Sequence, residues 1–215
     1  MGQDAVTLVL VRHGQTPMTV SGAYSGSSVP GPGLTAAGRV QAAQAADLVA
    51  RIGRSSWPEL AHPSALIASP MVRTQETAAA VGRRLGLPVA TEPALAECDF
   101  GAWEGSTVEQ IEERWPGGLA RWHRDPGVRA PGGESLQDVG DRVRPVLDAV
   151  LAGGTGRTVV AVTHSITVRV AVGLVLGAPP TAWSRVRVAP ASVSLLRLRP
   201  AGDHEVIVVG MPSAR

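Results

Sequence analysis

Val9-Leu10-Val11-Arg12-His13-Gly14-Gln15-Thr16 decides the reading of this chain. The run from Val6 to Val11 is apolar and largely β-branched, which predicts a strand buried on both faces. It feeds directly into an Arg-His-Gly turn. In an open α/β sheet, ligands bind at the carboxyl ends of the strands. Arginine there offers a planar fork that matches phosphate. Histidine there can act as nucleophile, acid or base near neutral pH. Glycine lets the backbone approach closely or adopt a positive φ.

Four further segments follow in order. They are Leu34-Thr35-Ala36-Ala37-Gly38-Arg39-Val40-Gln41-Ala42, Ser69-Pro70-Met71-Val72-Arg73-Thr74-Gln75-Glu76-Thr77-Ala78, Leu95-Ala96-Glu97-Cys98-Asp99-Phe100-Gly101-Ala102-Trp103-Glu104-Gly105 and Val162-Thr163-His164-Ser165. A Pro131-Gly132-Gly133-Glu134-Ser135 box lies between the last two. With Arg12-His13-Gly14, these segments resemble the histidine phosphatase superfamily, also called phosphoglycerate-mutase-like, over most of the chain. The stretch from Phe100 to Ser135 looks most like the α-ribazole phosphatase branch. Thr16-Pro17-Met18-Thr19 and Tyr24-Ser25-Gly26 resemble the phosphatase domain fused to ribonuclease H in some bacteria. No ribonuclease portion occurs in the 215 residues, so the chain reads as free-standing or excised from such a fusion.

Length and composition set bounds. A chain of 215 residues suits one domain, 1–215, with a sizeable core. Its 44% hydrophobic content predicts a globular protein, and its 3% aromatic share predicts a core built from Val, Leu, Ala and Ile. All 20 basic residues are arginines, which excludes Schiff-base chemistry and a P-loop lysine. The arginines are dispersed and the net charge is only +2, so no nucleic-acid partner is expected. The single cysteine, Cys98, rules out an internal disulfide and fits a reducing compartment. No apolar run has the ~18 residues a membrane span requires, and the N-terminus shows no positive n-region or cleavage signal. A cytoplasmic location without membrane association is expected.

Thr35 is a candidate N-cap for a helix to about Arg51, and Ala65–Ala68 reads as a strand. The next helix is expected to carry Pro70 at an early position and to end before Gly86. Pro88–Thr91 reads as a third strand. Residues 92–134 read as an irregular, substrate-capping insertion with one helix, Thr107 to Trp115. Ser135 caps a helix to Leu151 with Leu136, Val139, Val143, Val146, Leu147 and Val150 on one face. Thr158–Val162 reads as a strand, Ile166–Leu176 as an apolar helix, and Val193–Leu198 with Glu205–Val209 as a closing hairpin. Strands alternating with helices predict an α/β fold. The resemblance makes it a three-layer sandwich, with a mostly parallel central sheet flanked by helices. The apolar edge strand near the C-terminus could pair two subunits as a homodimer. The Ser21–Gly33 loop should lie at the surface near the site.

The resemblance assigns roles. His13 would be the nucleophile that forms a phosphohistidine, its tautomer fixed by a backbone carbonyl. Arg12 and Arg73 would grip the phosphoryl oxygens, and His164 would stabilise the group in transfer. Glu97, within Leu95 to Gly101, would be the general acid and then the base that activates water. Glu104 and Glu134 would order loops. Gly14 belongs to the same turn. Ser25, Gly26 and Ser165 would offer backbone contacts to substrate. The chain departs from the family at Thr19, where Asn is frequent, and at Ser165, where Gly is usual. Thr19 could still donate one hydrogen bond.

His62, His123 and His204 match no motif, and no spacing resembles a metal cage. No cofactor and no metal is expected. The function implied is a metal-independent phosphomonoesterase acting on a phosphorylated small molecule. The alternatives are a cofactor-dependent phosphoglycerate mutase and a non-catalytic phospho-ligand binding module. Mutases carry a longer insertion between the acid and the final histidine, and binding modules often lack the nucleophile or the acid.

Overall fold

The computed structural model describes residues 4–213. The expectations for the extreme N-terminus therefore lie partly outside the described residues. The chain forms, in order, β1 (Val6–Arg12), α1 (Pro17–Ser21), α2 (Ala36–Ala50), β2 (Pro63–Ala68), α3 (Val72–Leu85), β3 (Ala90–Thr91), α4 (Val108–Arg114), α5 (Gly118–Arg124), α6 (Leu136–Ala152), β4 (Thr158–Thr163), α7 (Ser165–Val175), β5 (Val193–Leu198) and β6 (Glu205–Met211). Short 3₁₀ turns cover Pro93–Leu95, Gly101–Trp103 and Pro180–Arg185.

One six-stranded sheet runs β3-β2-β4-β1-β5-β6. β1 to β4 are mutually parallel, and β5 and β6 are antiparallel additions at one edge. The two-residue alternation of a strand splits the apolar run of β1 between two cores. Val6, Leu8 and Leu10 face one cluster with residues of α6 and α7, while Val9 and Val11 face another with residues of α2 and α3. β4 divides in the same way, Val159 and Ala161 against Val160 and Val162. This double burial is the three-layer sandwich expected, and it explains the continuous apolar runs Leu8–Val11 of β1 and Val159–Val162 of β4.

The helices begin and end where their caps dictate. Thr35 accepts from the Gly38 amide at the start of α2, and Ser135 forms a reciprocal capping box with Asp138 at the start of α6. Gly86, with φ of 71°, closes α3 in the left-handed region.

Several boundaries differ from the expectation. Pro70 lies outside α3, which starts after Met71, and β3 keeps only the two residues that pair with β2. α1 and α5 were not foreseen. α1 is a five-residue helix held by a capping box between Thr16 and Thr19, too short for a periodic pattern. α5 occupies part of the segment expected to be irregular.

Candidate functional site

The parallel strands deliver the candidate residues to one edge. β1 and β4 pair in parallel with Arg12 opposite Thr163, so His13 and His164 leave the sheet side by side. The His13 amide donates to the Thr163 carbonyl at 3.0 Å, and the two rings stand 5.2 Å apart between centroids. Arg73 enters on the first turn of α3, after β2, and Glu97 follows β3. Both histidines, Arg73 and Glu97 are buried. A cavity of about 320 Å³ opens at this edge, lined among others by Arg12, His13, Thr19, Ser25, Glu97 and Ser165.

His13 Nδ1 donates to the Gly14 carbonyl at 2.7 Å. A carbonyl can only accept, so Nδ1 carries the proton and Nε2 keeps its lone pair. Burial pushes His13 well below the ordinary histidine pKa, and Arg12 and Arg73 push the same way. The ring is thus neutral and of one tautomer. Gly14 allows a tight approach: a Cβ there would strike the Gly38 carbonyl of α2, and a Cβ on Gly38 would strike the Gln15 carbonyl. Only a pair of glycines lets this loop and helix touch.

Arg12 is fixed by a 2.8 Å bond from Nη1 to the Val188 carbonyl, while its buried Nε is unpartnered. Burial lowers it to about 10, opposed by the nearby charge of Glu97. Arg73 Nη2 donates to the carbonyls of Ser25 (3.0 Å) and Gly26 (2.9 Å), leaving Nε and Nη1 without partners. Each guanidinium is therefore anchored by one arm and free at another. A fork held this way is preorganised for an anion. His164 Nε2 shares a 2.7 Å hydrogen bond with Ser69 Oγ, and its buried Nδ1 is unpartnered. Burial pushes His164 well below its ordinary pKa, with Arg73, His13 and Arg12 adding to the effect.

Glu97 accepts from the amides of Cys98 (3.0 Å) and Ile166 (3.2 and 3.3 Å), which aims its carboxylate beside the start of α7. Behind it stands Arg142, a residue without a signal in the sequence. Its guanidinium donates to the carbonyls of Ala94, Ala96 and Glu97 at 2.7 to 3.0 Å and forms a forked pair with Glu134 at 2.9 and 3.0 Å. Glu134 also accepts from the Asp99 amide, and Glu104 accepts from the Gly26 amide through both oxygens at 2.8 Å. Both carboxylates order loops.

Two expected substrate contacts are otherwise engaged. The Gly26 amide is taken by Glu104 and its carbonyl by Arg73, so its backbone holds the loop and not the cavity wall. The Thr19 hydroxyl accepts from the Thr16 amide and bonds the Thr16 hydroxyl at 3.0 Å, which commits it to the cap of α1. Thr19 nevertheless lines the wall, as do Ser25 and Ser165. Arg73 and His164 lie behind it. The wall also includes Tyr24, from the Tyr24-Ser25-Gly26 segment, and Trp122, His123 and Arg169, which no motif named. Arg169 had a signal: it follows Ser165 by one helical turn and so shares its face.

The motif order, the sheet and the paired histidines agree with a sequence profile described as histidine phosphatase superfamily (branch 1), which matches residues 8–209. The chain belongs to the histidine phosphatase superfamily. It is 36% identical over 202 residues to the bifunctional protein Rv2228c of Mycobacterium tuberculosis, covering 94% of this chain and 53% of the relative. It thus spans about half the length of that curated relative. It is 33% identical over 173 residues to phosphoserine phosphatase 1 of Hydrogenobacter thermophilus, covering 80% of this chain and 77% of that one. Among solved structures, mycobacterial glucosyl-3-phosphoglycerate phosphatase in complex with VO3 superposes with a TM-score of 0.83 at 29% identity, over 95% of this chain and 98% of that one. Among the described residues of this superfamily member, no helix is long and apolar enough to cross a membrane.

Proposed function

We propose that this chain hydrolyses phosphate monoesters of small molecules through a phosphohistidine on His13. The observation that carries the reading is the hydrogen bond from His13 Nδ1 to the Gly14 carbonyl. It presents Nε2 as a nucleophile beside the free donor arms of Arg12 and Arg73. Nε2 attacks phosphorus, the P–O bond to the alcohol breaks, and Glu97 gives its proton to the leaving oxygen. Water then attacks the phosphohistidine, Glu97 takes its proton, and inorganic phosphate leaves with His13 restored. Arg12 and Arg73 neutralise the charge on the phosphoryl oxygens, and His164 acts as a hydrogen-bond donor to them. Residues 92–134 cap the site, since Phe100, Trp122 and His123 line the cavity. The relatives named for phosphatase activity support this class of reaction.

The test is hydrolysis of p-nitrophenyl phosphate with excess EDTA, by the wild type and His13→Ala in parallel. EDTA-resistant turnover that disappears in the variant is expected. Turnover that EDTA abolishes, or that survives in His13→Ala, overturns the mechanism. Isomerisation of 3-phosphoglycerate, primed by 2,3-bisphosphoglycerate and faster than hydrolysis, would make the chain a mutase instead.

A further inference from the structure

The cavity extends beyond the space a phosphoryl group fills. Arg12, His13 and Glu97 stand at one part of it, and Arg169 stands on the wall supplied by α7. Side chains on a helix lean toward its N-terminus, which here is the site end, so Arg169 reaches back into the cavity one turn from Ser165.

Arg169 differs from the other buried or half-buried arginines of the site. Arg12, Arg73 and Arg142 each donate to a backbone carbonyl or a carboxylate. Among the described residues nothing forms a hydrogen bond or ion pair with Arg169, and its buried Nε has no partner. Desolvation pulls its pKa below the ordinary arginine value, opposed by the charge of Glu97 and by Tyr24. His123, on α5, lies on the same wall with a buried, unpartnered Nδ1. Burial and the neighbouring Arg169 hold it below the ordinary histidine pKa. A partly desolvated cation whose only counter-charge, Glu97, makes no hydrogen bond to it is costly, and an anion arriving from solution removes the cost.

We infer that Arg169, with His123 beside it, forms a second anion subsite within the catalytic cavity. It takes a carboxylate or second phosphoryl group on the leaving alcohol. The substrate class is then a compact phosphate ester with a second negative charge, held at one end by Arg12 and Arg73 and at the other by Arg169. The inference rests on the hydrolase reading for what the ligand is, but its binding test does not require turnover.

The experiment is calorimetric titration of three non-hydrolysable probes: propylphosphonate, 3-phosphonopropionate and propane-1,3-bisphosphonate. Wild type, Arg169→Met and Arg169→Lys are compared. A charge-assisted contact predicts that at least one two-headed probe binds wild type about tenfold or more tightly than propylphosphonate. That advantage disappears in Arg169→Met and is partly kept in Arg169→Lys, which retains charge without the fork. The better of the two probes tells carboxylate from phosphoryl. Equal affinity of wild type for all three probes overturns the subsite, as does an advantage that survives in Arg169→Met. If Arg169→Met does not fold, an undiminished advantage in Arg169→Lys together with one in His123→Ala overturns it. Turnover of p-nitrophenyl phosphate, measured alongside, reports on the hydrolase reading by itself. Discrimination without turnover would retire the mechanism and keep the subsite.

Discussion

His13 and His164 are register partners: each follows the last paired residue of two adjacent parallel strands, Arg12 opposite Thr163. Their rings meet edge to face at 61°. The sheet itself therefore sets their separation. His164→Ala is expected to lower kcat on p-nitrophenyl phosphate by about 10²–10³-fold, the scale for losing one donor to a developing charge. A fall of less than about threefold would remove His164 from the reaction on that same scale.

Glu97 acts on the leaving oxygen, so its loss should be felt in proportion to how poor the leaving group is. Glu97→Gln keeps the shape and the bonds from the Cys98 and Ile166 amides. Alkyl phosphates are expected to slow by about 10²–10⁴-fold, and activated aryl phosphates much less. Equal losses on both would show that another group supplies the proton.

Arg142 is a positioning residue for Glu97. It does not itself line the cavity but binds the carbonyls of Ala94, Ala96 and Glu97. Arg142→Gln is expected to lower kcat by about 10–10²-fold through misplacement of the carboxylate. KM for p-nitrophenyl phosphate should change little. The loss should be larger on alkyl than on aryl esters, the pattern of Glu97→Gln. A loss without that leaving-group dependence would mark Arg142 as structural only.

Acid stability follows from the two buried histidines. Both are held well below the ordinary value, chiefly by burial. On unfolding they return to about 6.5, so below that pH the unfolded chain binds more protons than the folded one. Stability is full above about pH 6.5 and falls on acidification, by up to ~1.4 kcal/mol per pH unit for each histidine. Melting temperature measured from pH 7.5 down to 5 should fall less steeply in His164→Asn than in wild type. Parallel curves would refute the assignment.

Gly38 offers a test of packing behind the turn that carries His13. An added methyl would strike the Gln15 carbonyl, which backbone cannot easily vacate. Gly38→Ala is expected to cost about 1–3 kcal/mol, the usual range for overpacking. That corresponds to a melting temperature lower by several degrees, at about 2–4 °C per kcal/mol for a chain of this size. An unchanged melting temperature would show that the loop yields.

Much of this was legible because the signals were local. The apolar runs Leu8–Val11 in β1 and Val159–Val162 in β4 announced double burial, and the serine before the apolar stripe of α6 announced its cap. His13 and His164 could be placed because each follows such a run at once. α1 was not legible, because five residues carry no period and its cap depends on two threonine hydroxyls meeting. The engagement of the Gly26 amide was hidden for another reason: its partner, Glu104, lies 78 residues away. Arg142 and His123 matter only through neighbours that the fold brings to them. The turn that braces the nucleophile was equally invisible: the Ala191 amide donates to the His13 carbonyl and Ser192 accepts from the Arg12 amide.

Arg73 has a consequence for how the protein would respond to its ligand. The guanidinium that offers Nη1 and Nε is the one whose Nη2 holds the carbonyls of Ser25 and Gly26. Order in that segment and affinity for an anion thus share one free-energy term, and such coupling is reciprocal. A substitution that loosens residues 25–33 would register as weaker phosphate binding, although it touches no phosphate. Bound phosphate would in turn register as slower amide exchange along the same stretch.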